Sequence, residues 1–106
     1  MTTFDKREAG FENKFAHDEE LRFKATVRRN KLLGAWAAEK MGMTGAAADS
    51  YARDVVATDF EEAGDHDVMR KLVTDFKTKG VSQSEKQIRT AMDQLMATAV
   101  AQIEAK

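Results

Sequence analysis

The chain has 106 residues, 42% hydrophobic and 33% charged, with a formal net charge of −1. This fits one domain with a modest core and lacks the basic excess of a nucleic-acid binder. There is no cysteine, which excludes disulfides, thiolate metal sites and cysteine nucleophiles, and no apolar run approaches the roughly 18 residues that span a bilayer.

Proline is absent as well, so nothing fixes φ or removes a backbone donor inside a helix. Ala, Lys, Glu, Arg, Met and Leu dominate, all good helix formers. Period-2 alternation rich in Val, Ile and Thr is missing. The expected fold class is all-α. The N-terminal stretch Met1-Thr2-Thr3-Phe4-Asp5-Lys6-Arg7-Glu8 has no apolar signal region, so a cytoplasmic protein without direct membrane insertion is expected.

Thr2, with Asp5 three residues later, reads as a helix start, and a helical pattern continues to about Met41, where Gly42 supplies a stop. This first segment divides in two. From Leu21 to Met41 the apolar residues are dense (Leu21, Phe23, Ala25, Val27, Leu32, Leu33, Ala35, Trp36, Ala37 and Met41) and suit a core face. Before it the pattern thins to Phe4, Phe11 and Phe15, spaced seven and four apart, which places the three rings within about 40° on a helical wheel. Asp18, Glu19 and Arg22 break that stripe. Residues 1–18 are therefore expected to form a separate, mobile and marginally helical arm, and residues 19–106 the folded bundle. Gly10 in the arm weakens a helix by roughly 1 kcal/mol relative to Ala, and helices this short are marginal in water. On a partner, each buried Phe contributes roughly 1.5–3 kcal/mol, less the ordering entropy. The pattern suits a helix that docks in a groove; the alternative is that the three rings fold back onto the bundle.

Thr44 caps a second predicted helix, running to about Ala63 and closed by Gly64, with Tyr51, Ala52, Val55, Val56 and Phe60 on one side. Asp65 caps a third, striped by Val68, Leu72, Val73 and Phe76 and ended by Gly80. Ser82 and Glu85 match a capping box for a fourth, whose stripe is Ile88, Met92, Leu95, Ala99 and Ile103, flanked by Ala91 and Met96. Short connections favour antiparallel neighbours, hence a four-helix bundle, monomeric when free. The six methionines read as core filler.

Charge is unevenly spread. Residues 19–41 carry six bases against three acids, and residues 42–81 carry five against eight; such opposition suggests internal pairing. In the basic cluster Arg22, Lys24, Arg28, Arg29 and Lys31, the pairs Asp18–Arg22 and Glu20–Lys24 stand acid-before-base at four-residue spacing, the favourable order on a helix. A phosphate or nucleotide contact is the competing reading, but no aromatic stacking platform accompanies it. His66 sits between Asp65 and Asp67, yet acids at a helix start serve the dipole, and the Glu-x-x-His pairs of a di-metal bundle are absent, so no metal is expected. His17, beside Asp18, Glu19 and Glu20, is a candidate pH-sensitive residue. No Gly-rich phosphate loop, Gly-x-Ser-x-Gly or zinc-protease motif occurs. Neither enzymatic activity nor a cofactor is expected.

Several blocks carry a resemblance. Phe11-Glu12-Asn13-Lys14-Phe15-Ala16-His17-Asp18-Glu19-Glu20-Leu21-Arg22-Phe23-Lys24, Arg28-Arg29-Asn30-Lys31-Leu32-Leu33-Gly34-Ala35-Trp36-Ala37-Ala38-Glu39-Lys40, Asp59-Phe60-Glu61-Glu62-Ala63-Gly64-Asp65 and Gln87-Ile88-Arg89 resemble the zeta subunit of the α-proteobacterial F-type ATP synthase, an ATPase-inhibitor family. The resemblance covers essentially the whole chain in order. It implies a four-helix bundle whose N-terminal segment inserts into the catalytic head, between a catalytic and a non-catalytic subunit and close to the rotor stalk, and blocks rotation in the hydrolytic direction. Phe4, Phe11 and Phe15 would then supply affinity, and Arg7, Glu8, Glu12 and Lys14 orientation, with the protein peripheral to the inner membrane through the ATP synthase. Two further readings stay open: a weak nucleotide-binding bundle using the basic face, and a general helical adaptor.

Overall fold

Four helices follow one another along the chain in the computed structural model, which describes residues 19–59 and 65–104. They are α1 (Glu19–Lys40), α2 (Gly45–Asp59), α3 (His66–Lys79) and α4 (Glu85–Glu104). Among the described residues there is no strand. The segment 1–18, with the Thr2 cap and every predicted arm residue, lies outside the described residues, as do Phe60 to Gly64 and hence the predicted end of the second helix.

Local chemistry sets the helix ends. At the end of α1, Gly42 adopts φ 78°, its N–H donates to the Glu39 carbonyl (3.1 Å), and the Met43 N–H donates to the Ala38 carbonyl (2.9 Å). That pair of bonds is the Schellman arrangement, which a glycine in the left-handed region closes without a Cβ clash. Gly80 repeats it after α3, with φ 69°, a bond to the Lys77 carbonyl and a Val81 bond to the Phe76 carbonyl. In both cases the next residue, Met43 or Val81, packs against the core.

The start of α4 corrects the sequence reading. The capping box is Ser84 with Gln87, not Ser82 with Glu85: the Gln87 N–H donates to Ser84 Oγ (3.1 Å), and the Ser84 N–H donates to Gln87 Oε1 (2.8 Å). Both pairs satisfy the same spacing rule. Beginning at Glu85 leaves Val81 to Ser84 for the chain to reverse direction after the Gly80 stop.

The predicted stripes meet in one core: Leu33, Ala37 and Ala38 of α1, Tyr51 and Val55 of α2, Val68, Leu72 and Phe76 of α3, and Ile88, Ala91 and Met92 of α4. Each is a side chain at helical spacing on its own element, so the amphipathic patterning carried the fold. Trp36 meets Phe76 edge to face, with ring centroids 5.8 Å apart at 84°, the geometry that aromatic quadrupoles favour. Met92 is fully buried, and Met41, Met43 and Met69 pack partly buried against the core.

Helix α1 pairs with α2 and α4, and α3 packs against α2 and α4. The α1–α2 approach depends on Gly34. A Cβ there would stand 2.6 Å from the Ala52 Cα, so the two backbones sit closer than any larger residue permits.

Three side chains depart from expectation, one of them Ala35, which was counted with the core face and is exposed. Phe23, counted with the core face, is 54% exposed. Arg29, placed in the solvated basic cluster, is 2% exposed.

Candidate partner-binding site

The sequence places partner contacts at Phe4, Arg7, Glu8, Phe11, Glu12, Lys14 and Phe15, with His17 as the pH-sensitive candidate. All eight lie outside the described residues. What is described is the ground they spring from, the first three turns of α1 and the last two of α4.

At this end α1 and α4 run side by side; Arg28 Nη1 donates to Gln102 Oε1 across them at 3.3 Å. Asp59, the last described residue of α2, lies beside Asn30, and α3 begins after Asp65, held to Arg29. Beyond Arg29 and Asn30, therefore, only α1 and α4 continue among the described residues. Phe23 precedes Asn30 by seven residues and Gly34 by eleven, close to whole numbers of turns, so it lies on the same face as the core. Phe23 is nevertheless 54% exposed. Beside it opens a groove of about 520 Å³ lined by Glu19, Arg22, Phe23, Ala25, Thr26, Met96 and Val100. Its lining is largely apolar and includes Glu19 of α1.

Glu19 and Glu20 occupy the first turn of α1, where carboxylates suit the positive end of the helix dipole. Glu20 pairs with Lys24 at 3.2 Å, both exposed, as the spacing predicted; exposed pairs of this kind contribute about 0.3–0.5 kcal/mol.

Arg29 behaves differently. Its Nε donates to Asn30 Oδ1 (2.7 Å) and its Nη2 to Asp65 Oδ1 (2.8 Å), while Arg89 of α4 approaches the other Asp65 oxygen at 3.7 Å. Asp65 was expected to cap α3 through its side chain. It occupies the N-cap position but makes no side-chain cap hydrogen bond, because its carboxylate is committed to Arg29. The Arg29 hydrogen bond holds the Asp65 carboxyl below the usual carboxylate range, against partial burial and assisted by the charges of Arg29, Arg89 and His66. Burial pushes the Asp59 carboxyl up, although Arg29 and Asn30 draw it down. The buried Asn30 Nδ2 has no hydrogen-bond partner among the described residues.

Among the described residues no metal centre assembles around His66. Asp65 turns to Arg29, Asp67 pairs with Arg70 at 3.1 Å, and no group of three or more His, Asp or Glu side chains able to hold a metal ion occurs among the described residues. No described helix is long and apolar enough to cross a membrane.

Sequence reasoning missed Arg29 and Asp65 as partners. The signal present was opposite charge, a basic block at 19–41 facing an acidic one at 42–81; which base goes inside is not encoded in that balance.

Comparison with known proteins places the chain. The family model described as "ATPase inhibitor subunit zeta" matches residues 1–102. A structure solved by solution NMR is similar, with 47% sequence identity and a TM-score of 0.72 over 80% of this chain and 96% of that one. No curated protein matches.

Proposed function

This chain belongs to the ATPase inhibitor subunit zeta family, and from that premise we propose that residues 1–18 insert as an amphipathic helix into the catalytic head of the F-type ATP synthase and block hydrolytic rotation. The family match supports this most directly because it spans the arm together with the bundle. Phe4, Phe11 and Phe15 form the apolar stripe that a groove between a catalytic and a non-catalytic subunit, near the rotor stalk, would bury. Arg7, Glu8, Glu12 and Lys14 flank that stripe and would set the orientation of the inserted helix by pairing at its rim.

The bundle's role in this reading is that of an anchor. Among the described residues its core runs from Leu33 to Met92. Helix α1 alone, 22 residues, is about 33 Å long, too large to follow the arm inward. The bundle therefore stays at the entrance and limits how far the arm penetrates. The protein acts as a regulator without chemistry of its own, peripheral to the membrane through the ATP synthase and monomeric before it binds.

Nucleotide binding by the basic face is less well supported. Arg29, central to that face in the sequence, is buried against Asp65.

The test is ATP hydrolysis by the cognate catalytic head in the presence of residues 1–106 or 19–106. Inhibition by the full chain alone is expected. Equal inhibition by residues 19–106, with helicity intact by circular dichroism, would overturn the assignment to the arm.

A further inference from the structure

Toward the end of the bundle away from Glu19, an open trough of about 360 Å³ runs between α1 and α4. We propose that it seats an acidic helix on the outer surface of the catalytic head, a second point of attachment besides the arm. This inference rests on the reading of the chain as an inhibitor of that head and names where else the head is held.

The trough has the shape of a helix seat. Trp36 and Lys40, one turn apart on α1, form one wall. Gln87, Thr90 and Gln94 form the other, at the three- and four-residue steps that keep side chains on one face of α4. Two such rows with an open channel between them are what a further helix packs into, whereas a small-molecule site encloses most of its ligand.

Charge selects the occupant. Lys40 and Lys86 are the only charged residues lining the trough, and no carboxylate lines it. Both lysines are exposed. Other bases of the bundle, among them Lys24, Arg70 and Lys71, pair with carboxylates, but neither Lys40 nor Lys86 does so among the described residues. The complement of two unpaired ammonium groups is a segment rich in Asp and Glu. The neutral residues between them add polar contacts. Gln87 Oε1 accepts from the Ser84 N–H, which leaves its amide N–H groups to donate to a carboxylate. The Thr90 hydroxyl donates to the Lys86 carbonyl, which leaves its oxygen to accept.

Trp36 supplies the apolar anchor. It is half-buried, and its ring is held edge to face by Phe76, so it is already fixed before a partner arrives. It stands about 26 Å along α1 from Glu19, the root of the arm. Arm and trough are therefore separate enough to be engaged together, and holding one raises the effective concentration of the other.

The experiment places the photo-cross-linker p-benzoylphenylalanine at Gln94 in one full-length chain and at Phe11 in another, each with the cognate catalytic head. Cross-links from both positions are expected, the one from Gln94 mapping to a helix rich in Asp and Glu. Lys40→Glu with Lys86→Glu should abolish the Gln94 cross-link and raise the concentration for half-inhibition of ATP hydrolysis about tenfold. Lys77→Glu with Lys79→Glu changes net charge equally, away from the trough, and should do neither; circular dichroism checks that both variants stay folded. A cross-link from Phe11 without one from Gln94, a Gln94 cross-link to a segment lacking acids, or equal losses in the two charge variants overturns the proposal. A cross-link from Gln94 without one from Phe11 upholds the trough and removes the arm as the inserting segment. Absence of both removes both.

Discussion

Arg29 Nη2 lies 2.8 Å from Asp65 Oδ1, joining the middle of α1 to the residue that precedes α3. The arginine side chain is 3% exposed and the aspartate 38%, so a buried cation is neutralised by a carboxylate that keeps one side in water. Removing one member of such a pair leaves the other uncompensated, which is more damaging than never having had the pair.

Arg29→Met is therefore expected to lower stability by about 2–3 kcal/mol, the lower part of the range for buried pairs because Asp65 stays partly hydrated. Urea unfolding followed by circular dichroism measures it. A variant within about 0.5 kcal/mol of the parent would mean that Arg29 is held by packing alone.

The two aspartates at this end give opposite pH signatures. Asp65 has a folded pKa below its ordinary value of 3.8, so its stabilisation is fully present above that value and is lost as pH falls through the folded pKa. Asp59 has a folded pKa above 3.8, so its ionisation opposes folding at neutral pH, and that penalty fades as pH falls through the folded pKa toward 3.8. Asp65→Asn should lower stability at neutral pH and Asp59→Asn should raise it, with both differences shrinking in acid. Unfolding midpoints from neutral pH down to about pH 3 test the signs; like-signed effects would contradict the electrostatic picture.

Gly34→Ala sets helix propensity against packing. In an exposed helix this change stabilises by up to about 1 kcal/mol. Here the added carbon would meet the Ala52 Cα at 2.6 Å, which forces α1 and α2 apart and costs about 1–3 kcal/mol. A net loss of about 1 kcal/mol is expected from thermal unfolding; a rise in Tm would show that the crossing relaxes freely.

Ser84→Ala should destabilise by about 1 kcal/mol, since its Oγ accepts from the Gln87 N–H. That corresponds to a fall in Tm of about 4–8 °C for a domain of this size. Ser82→Ala makes a matched control, expected within about 0.5 kcal/mol of the parent. Reversal of the two would restore Ser82 as the cap.

Tyr51 offers a test away from the arm. Its hydroxyl donates to Asp75 Oδ2 at 2.7 Å, Lys71 pairs with the same carboxylate oxygen at 3.1 Å, and the Lys71 ammonium lies 4.9 Å from the ring centroid. Burial, with the Asp75 contact, pushes the phenol pKa well up, so the hydroxyl stays a donor at any working pH. Tyr51→Phe should cost about 1–2 kcal/mol by urea unfolding, with no change in ATPase inhibition; altered inhibition would tie this cluster to partner binding.

The sequence by itself determined the four described helices, the glycine stops at Gly42 and Gly80, and the apolar stripes that became the core. These are local matters: 3.6-residue periodicity and the freedom of glycine in the left-handed region act within a few residues of chain. Tertiary structure decided the rest. Ser82–Glu85 and Ser84–Gln87 are equal as patterns, and only the turn after α3 selects between them. Arg29 and Arg28 are equal as charges, and only the arrival of Asp65 at the start of α3 makes one of them worth burying. Phe23 lies on the core face by periodicity, yet it is exposed, because exposure is set by what packs beside a face in space. Burial and pairing depend on what arrives from elsewhere in the chain, and that is settled when helices pack.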